Sequence, residues 1–166
     1  SYAAKDPAVK EGYKNIANRL ILIKGFVRTD LVATAADMFL VPSKFEPCGL
    51  TQLEAMAKGS LPIATSTGGL VNTIRDGVDG FRTKVFFDME GWKTGQQIFG
   101  VHKHYRFKTN GEAYCDAIER GLKTFRNNPE KFEKMQKTAI RNDFSWDKEG
   151  GALDQYVNLL KTGRPN

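Results

Sequence analysis

The sequence predicts an α/β domain, a parallel sheet with helices on both faces followed by a helical C-terminal segment. Three observations carry this. The first half of the 166-residue chain alternates short, dense apolar runs with amphipathic stretches, and continuous apolar strands belong to parallel sheets buried on both sides. Glycine or proline closes most of these runs, at Gly25, Pro42, Gly59 and Gly77, where a chain turns most readily. From Asn110 onward, apolar residues recur at helical spacing instead.

Taken in order, Ala8 to Arg19 reads as a helix and Leu20 to Phe26 as a short apolar strand ending at Gly25. Leu31 to Ala36 is helical, and Met38 to Val41 is a buried strand closed by Pro42. Leu50 to Ala57 is a helix ending at Gly59, a residue suited to a left-handed cap. Leu61 to Ala64 is a third strand, Leu70 to Ile74 a helix closed near Gly77, and Gly80-Phe81 a fourth extended piece. Residues 83–109 hold Phe86, Phe87, Trp92, Phe99, Tyr105 and Phe107 among glycines and basic residues, without a clean period. They read as a long insertion, of the kind that is functional or lies against a neighbour. Tyr114, Ala117, Ile118, Gly121, Leu122 and Phe125 then share one helical face. Asn128-Pro129-Glu130 starts another helix with cap, first-turn proline and first-turn acid in order. A last helix puts Leu153, Tyr156, Val157 and Leu160 on one stripe. These stripes are read as core packing. The chain is therefore one domain in three parts, 1–82, 83–109 and 110–166.

Composition narrows the function classes. Forty per cent apolar and 27% charged residues fit a soluble globular domain and exclude disorder. The longest unbroken apolar runs, Leu20–Ile23 and Met38–Val41, are four residues, too short to cross a membrane. Nothing at the start reads as a signal peptide. Cys48 and Cys115 alone form neither a disulfide framework nor a zinc pattern, so free thiols in a reducing, intracellular compartment (cytoplasm or plastid) are expected. A net charge of +6 favours an anionic partner without identifying one.

The informative run is Pro42 to Ala57, PSKFEPCGLTQLEAMA. A strand ends at Val41, a tight loop follows, and a helix opens around Gly49. Ligands of parallel sheets bind beyond the carboxyl ends of the strands, and helix starts attract phosphate. Gly49 lets a diphosphate approach the backbone, Thr51 adds a hydroxyl, and Glu46 and Glu54 add two carboxylates. This describes a sugar-nucleotide cradle. It equally describes an ordinary strand-to-helix turn with a solvated glutamate, and the residue chemistry alone does not choose.

The run Pro42-Ser43-Lys44-Phe45-Glu46-Pro47-Cys48-Gly49-Leu50-Thr51-Gln52 resembles starch and bacterial glycogen synthases, retaining glucosyltransferases of GT-B architecture. So do Ser66-Thr67-Gly68-Gly69-Leu70, Asp76-Gly77, Gly80-Phe81 and Asp143-Phe144-Ser145-Trp146. The resemblance covers most of 6–82, returns at 110–160 and is weak across the insertion. It implies a Rossmann-like sheet, the C-terminal half of a GT-B fold. By the same resemblance Glu46 is the acid beside the transferred glucose, supporting an oxocarbenium-like transition state, and Glu54 meets the nucleoside ribose. Cys48, Gly49, Leu50 and Thr51 match the loop and helix start around glucose and phosphates. Thr67, Gly68 and Gly69 match a second turn lining the donor site, and Phe26 matches a position stacked on the nucleobase. The implied donor is ADP-glucose or UDP-glucose, the acceptor a growing α-1,4-glucan, and no metal or other cofactor is expected.

The resemblance also implies what is missing. The family's C-terminal domain opens with a strand and a basic Ser-Arg-Leu…Lys-Gly segment that holds the donor phosphates, then a second strand. Neither is recognisable here, nor is the Lys-Thr-Gly-Gly loop of the N-terminal GT-B domain, the expected partner. The isolated chain is therefore expected to be inactive. Two further readings stay open: a non-catalytic sugar-nucleotide or glucan-binding scaffold, and the synthase module of an α-1,3-glucan synthase. A glycoside hydrolase ranks below transferase, because Glu46 and Glu54 sit across a helix start rather than facing each other over one bond. His102 and His104 lack a third metal ligand, and Cys48 has no histidine near it in sequence. Residues 120–141 carry seven basic and two acidic side chains, but these read as a solvated helix surface rather than a nucleic-acid site.

Overall fold

The structure, a computed structural model, describes residue 25 and residues 27–86 and 110–163. The expected helix at 8–19, strand at 20–26, Phe26, and the aromatic residues and histidines of 87–109 lie outside the described residues. Within them run α1 (Thr29–Ala35), β1 (Met38–Val41), α2 (Thr51–Ala57), β2 (Leu61–Ser66), α3 (Gly69–Thr73), β3 (Phe81–Phe86), α4 (Asn110–Asn127), α5 (Pro129–Arg141) and α6 (Ala152–Thr162). The predicted alternation is present, with β3 longer than expected and reaching Phe86, inside the stretch read as insertion.

The three strands form one parallel sheet in the order β1-β2-β3. Met38 pairs with Leu61 and Val41 with Ala64, while Ile63 pairs with Phe81. Every residue of the central strand β2 is buried, as a continuous apolar run between two neighbours requires. Pro62 is tolerated there because of where its missing N–H would point. Leu61 N–H donates towards the β1 side, to Asp37 O at 3.0 Å. The next residue faces the other way, and β3 pairs with β2 only from Ile63 onward, so no ladder bond is lost.

The core joins Val41, Leu61, Ile63 and Phe81 of the sheet to Met56 of α2, Leu70 of α3 and Ile74 at its end, Ala117 of α4, and Phe132, Met135 and Ala139 of α5. Small residues at Ala113, Ala117 and Gly121 let α4 lie close on the sheet; a Cβ at Gly121 would come within 3.1 Å of Ile63 and Met38. Tyr114 on the same helix donates to Ile63 O at 2.7 Å, and burial pushes its phenol up to about 12. Asn128 caps α5 by accepting from Lys131 N–H at 3.1 Å. Phe125 and Phe132 meet edge to face, centroids 5.1 Å apart.

Two polar knots hold the sheet's far edge. Asp79 is fully buried and accepts from Arg75 N (2.7 Å), Arg75 Nε (2.6 Å) and Asn142 Nδ2 (3.0 Å). Arg120 of α4 pairs with Asp76 at 2.8 Å and Asp116 at 2.9 Å and donates to Arg82 O.

One expectation is corrected. The spacing predicts core packing for the stripe Leu153, Tyr156, Val157 and Leu160, yet none of these residues is buried and Leu160 is 85% exposed. Helical periodicity shows that a face is apolar, not which surface covers it, and no described element does. Trp146, in the segment before α6, stacks on Tyr156 with centroids 6.0 Å apart and adds to this exposed face. Next to it Asp143 accepts from the Ser145 hydroxyl at 2.5 Å and the Ser145 N–H at 2.8 Å. Those two bonds hold its carboxyl below the ordinary value.

Candidate functional site

Because the strands are parallel, the loop leaving β1 (residues 42–50) and the turn leaving β2 (residues 67–68) emerge on the same edge of the sheet. They are locked together there. Thr65 Oγ1 donates to Ser43 O at 2.5 Å, Thr67 Oγ1 to Lys44 O at 3.4 Å, and Gly69 N–H to Glu46 O at 2.8 Å. The Gly68-Gly69 pair has a steric reason. Gly68 takes φ +45°, and a Cβ on it would sit 2.0 Å from Glu46 O. At Gly69 a Cβ would sit 2.4 Å from Cys48 O. Backbone meets backbone here, and only glycine leaves the room.

The structure brings most of the sequence-predicted site residues onto this edge. Glu46 is half-buried, with Ser43 Oγ donating to its Oε2 at 3.4 Å. Cys48, Leu50 and Thr51 are exposed, while Gly49 is buried with φ +79°. Gly68 is exposed and Gly69 buried. Thr67 is buried and its hydroxyl is committed to Lys44 O, so its contribution is to hold the turn. Glu54 projects from the first turn of α2, exposed, and accepts from Thr29 Oγ1 at 3.2 Å. Beside Thr29, Arg28 bonds Asp30 at 2.6 Å. That bond holds the Asp30 carboxyl below its ordinary value. Phe26 lies outside the described residues.

Both cysteines are free and exposed. Among the described residues no group of three His, Cys, Asp or Glu side chains is placed to hold a metal ion. No described helix is long and apolar enough to cross a membrane. On the basic helices, Arg120, Lys123 and Lys137 pair with acids.

Sequence reasoning did not single out Gln52 or Thr73. Gln52, one residue into α2, is fully buried beneath the loop, and its amide bonds Gly49 O, Cys48 O and Thr73 Oγ1. A polar residue on the inward side of a short helix, three positions after a glycine, was the available signal.

Comparison with known proteins adds four findings. The family model described as glycosyl transferases group 1 matches residues 2–88, more than half of the chain. A glycogen synthase of Novosphingobium aromaticivorans is 38% identical over 125 residues, covering 75% of this chain and 23% of that protein. A glycogen synthase of Streptococcus pneumoniae is 35% identical over 130 residues, covering 78% of this chain and 24% of that one. The catalytic domain of starch synthase IV from Arabidopsis thaliana, solved bound to ADP and acarbose, superposes with a TM-score of 0.59 at 27% identity, covering 95% of this chain and 30% of that one. The chain thus spans about a quarter of the length of the curated relatives it matches.

Proposed function

The chain belongs to the group 1 glycosyl transferases, and on that premise we propose that it is the donor-binding part of a retaining glucosyltransferase. In this reading glucose moves from a nucleoside diphosphate glucose to a growing α-1,4-glucan. The bond between the sugar's anomeric carbon and the diphosphate oxygen breaks, leaving negative charge on the diphosphate and positive charge on the sugar. Glu46 answers the second, its carboxylate beside the glucose. The backbone around Cys48, Gly49, Leu50 and Thr51 answers the first with preorganised donors. Gly68 presents the opposite wall, held in place by the buried Thr67 and Gly69, and Glu54 meets the ribose. No metal is required by this division of charge.

The observation that carries the reading is the lock between the two turns. Gly69 N–H on Glu46 O at 2.8 Å sets the acid-bearing loop and the glycine turn against each other at the carboxyl edge, where parallel sheets take their ligands. ADP as the nucleotude's identity is supported by the solved relative that holds ADP, and an α-glucan acceptor by the glycogen synthases among the relatives.

Catalysis in this reading also needs a second, N-terminal domain. The exposed apolar face of α6 with Trp146 supports that, as does the quarter of the relatives' length that the chain spans. Calorimetry of the full chain with ADP-glucose tests the donor site. Wild type should bind, and Glu46→Ala and Thr51→Val should each bind about tenfold more weakly, or about 1.4 kcal/mol. Equal binding by all three chains, or none by wild type, refutes the site. Robust glucose transfer by these 166 residues alone refutes the need for a second domain.

A further inference from the structure

Gln52 is a costly residue to bury. Its side chain is 0% exposed, and its Oε1 has no hydrogen-bond partner. A methionine of similar length would fill the same space without leaving an oxygen unpaired. What the amide provides instead is direction. Nε2 donates to Gly49 O at 2.6 Å, to Cys48 O at 3.2 Å and to Thr73 Oγ1 at 3.2 Å. Two protons serve three acceptors, so the adjacent carbonyls of Cys48 and Gly49 share one. Thr73 Oγ1 passes the chain on, donating to Gly69 O at 3.0 Å. One buried amide therefore ties the loop that carries Glu46 to the turn that carries Gly68 and Gly69.

The consequence follows from peptide geometry. In a trans peptide the C=O of one residue and the N–H of the next point in opposite directions. Holding Cys48 O and Gly49 O inward turns the N–H groups of Gly49 and Leu50 away from Gln52. Among the described residues no hydrogen bond takes up either N–H. We propose that Gln52 is a positioning residue: acting through Thr73, it holds the Cys48–Leu50 peptides and the Gly68–Gly69 turn in one rigid arrangement that presents the loop to the donor. This rests on the donor-site reading given above. Gln52 itself touches no substrate in that arrangement.

The test uses the full chain with Gln52→Met, which keeps the volume and removes the donor, and Gln52→Glu, which keeps the shape but faces two carbonyls with an acceptor. Thr73→Val and the Gln52→Met/Thr73→Val pair complete the set. Two quantities are read: the dissociation constant for ADP by calorimetry, and exchange of the Gly69 amide by NMR, which reports directly on its bond to Glu46 O. Gln52→Met should weaken ADP binding by about tenfold, the scale of losing one hydrogen bond to a charged group. Gln52→Glu should do at least as much, and Thr73→Val less. The pair should bind no more weakly than Gln52→Met alone, because both changes cut one chain. Gly69 exchange should accelerate in every variant.

Affinity within about twofold of wild type in Gln52→Met and Thr73→Val, a gap smaller than the usual coupling between contacting residues, overturns the proposal. So does additive loss in the pair, or unchanged Gly69 exchange. If Gln52→Met fails to fold, Thr73→Val decides on both measurements. If wild type takes up no ADP, the donor reading falls. Gly69 exchange then judges the clamp alone: faster exchange in Gln52→Met supports it, unchanged exchange overturns it.

Discussion

Replacing Gly69 by alanine presses on the contact between the two turns at its tightest point. An ideal Cβ there lies 2.4 Å from Cys48 O, 2.6 Å from Cys48 Cα and 2.8 Å from Cys48 C. All three are backbone atoms, so no rotamer change relieves the clash. Ordinary contact begins at 3.4 Å, and the turn must withdraw by about 1 Å to reach it. The Gly69 N–H to Glu46 O bond, now 2.8 Å, then passes out of hydrogen-bond range. Stranding buried polar groups costs about 1–3 kcal/mol, and displacement of packed backbone costs about 1–3 kcal/mol. Both arise from one movement, so they overlap, and a loss of about 2–4 kcal/mol is expected. Gly69 is not among the positive-φ glycines, so no backbone strain enters the figure. Gly77→Ala is the matched control. Its φ is +74° with nothing within 4 Å of a Cβ, and it should lose only the cost of that conformation, about 1 kcal/mol. Urea unfolding of the full chain reads both. A Gly69→Ala chain within about 0.5 kcal/mol of wild type, the usual range of a neutral surface change, refutes the interlock. A loss smaller than that of Gly77→Ala refutes it equally.

Asp79→Ala should cost about 2–4 kcal/mol in the same assay, because it strands the Arg75 N–H and the Asn142 amide around a fully buried position; a loss under about 1 kcal/mol would contradict that account. Tyr114 predicts an alkaline limb. Its folded pKa is raised from 10.0 to about 12 by burial, so the unfolded chain releases the phenolic proton first. The contribution is complete below the unfolded value and is lost as pH climbs through the folded one. Wild type should therefore lose stability relative to Tyr114→Phe between pH 10 and about 12; parallel curves across that window would show that the buried phenol is not responsible.

Apolar density made the sheet readable in advance. Met38–Val41 is an unbroken apolar run and Leu61–Ala64 is broken only by Pro62, and the structure pairs both as strands in parallel register. The central strand β2 is buried throughout, but the expectation of a buried β1 is corrected: at the edge of the described sheet only Val41 is buried and Leu40 is 52% exposed. β3 was harder, since Phe81–Phe86 mixes Arg82, Thr83 and Lys84 with its apolar residues and offers no run to recognise. Within the site, Glu46, Gly49 and the Gly68-Gly69 pair were visible because turn chemistry and motif point to the same positions. Gln52 and Thr73 were not. Their significance lies in two carbonyl groups and a hydroxyl that meet only after folding, 21 positions apart in sequence. The α6 stripe failed for the opposite reason: its pattern is clear, but its cover is not supplied by the described residues.

The placement of α4 has a consequence for the covalent continuity of the chain. Tyr114 reaches back across the sheet to Ile63, and Arg120 to Asp76 and the ring of Phe81, so the two flanks of residues 87–109 are joined by side chains as well as by the backbone. A protein nicked within that interval, or expressed as two separate halves, should reassemble by complementation. Its thermal midpoint would then depend on the concentration of the two halves. Halves that elute separately at micromolar concentration in size-exclusion chromatography would show that the backbone link is indispensable.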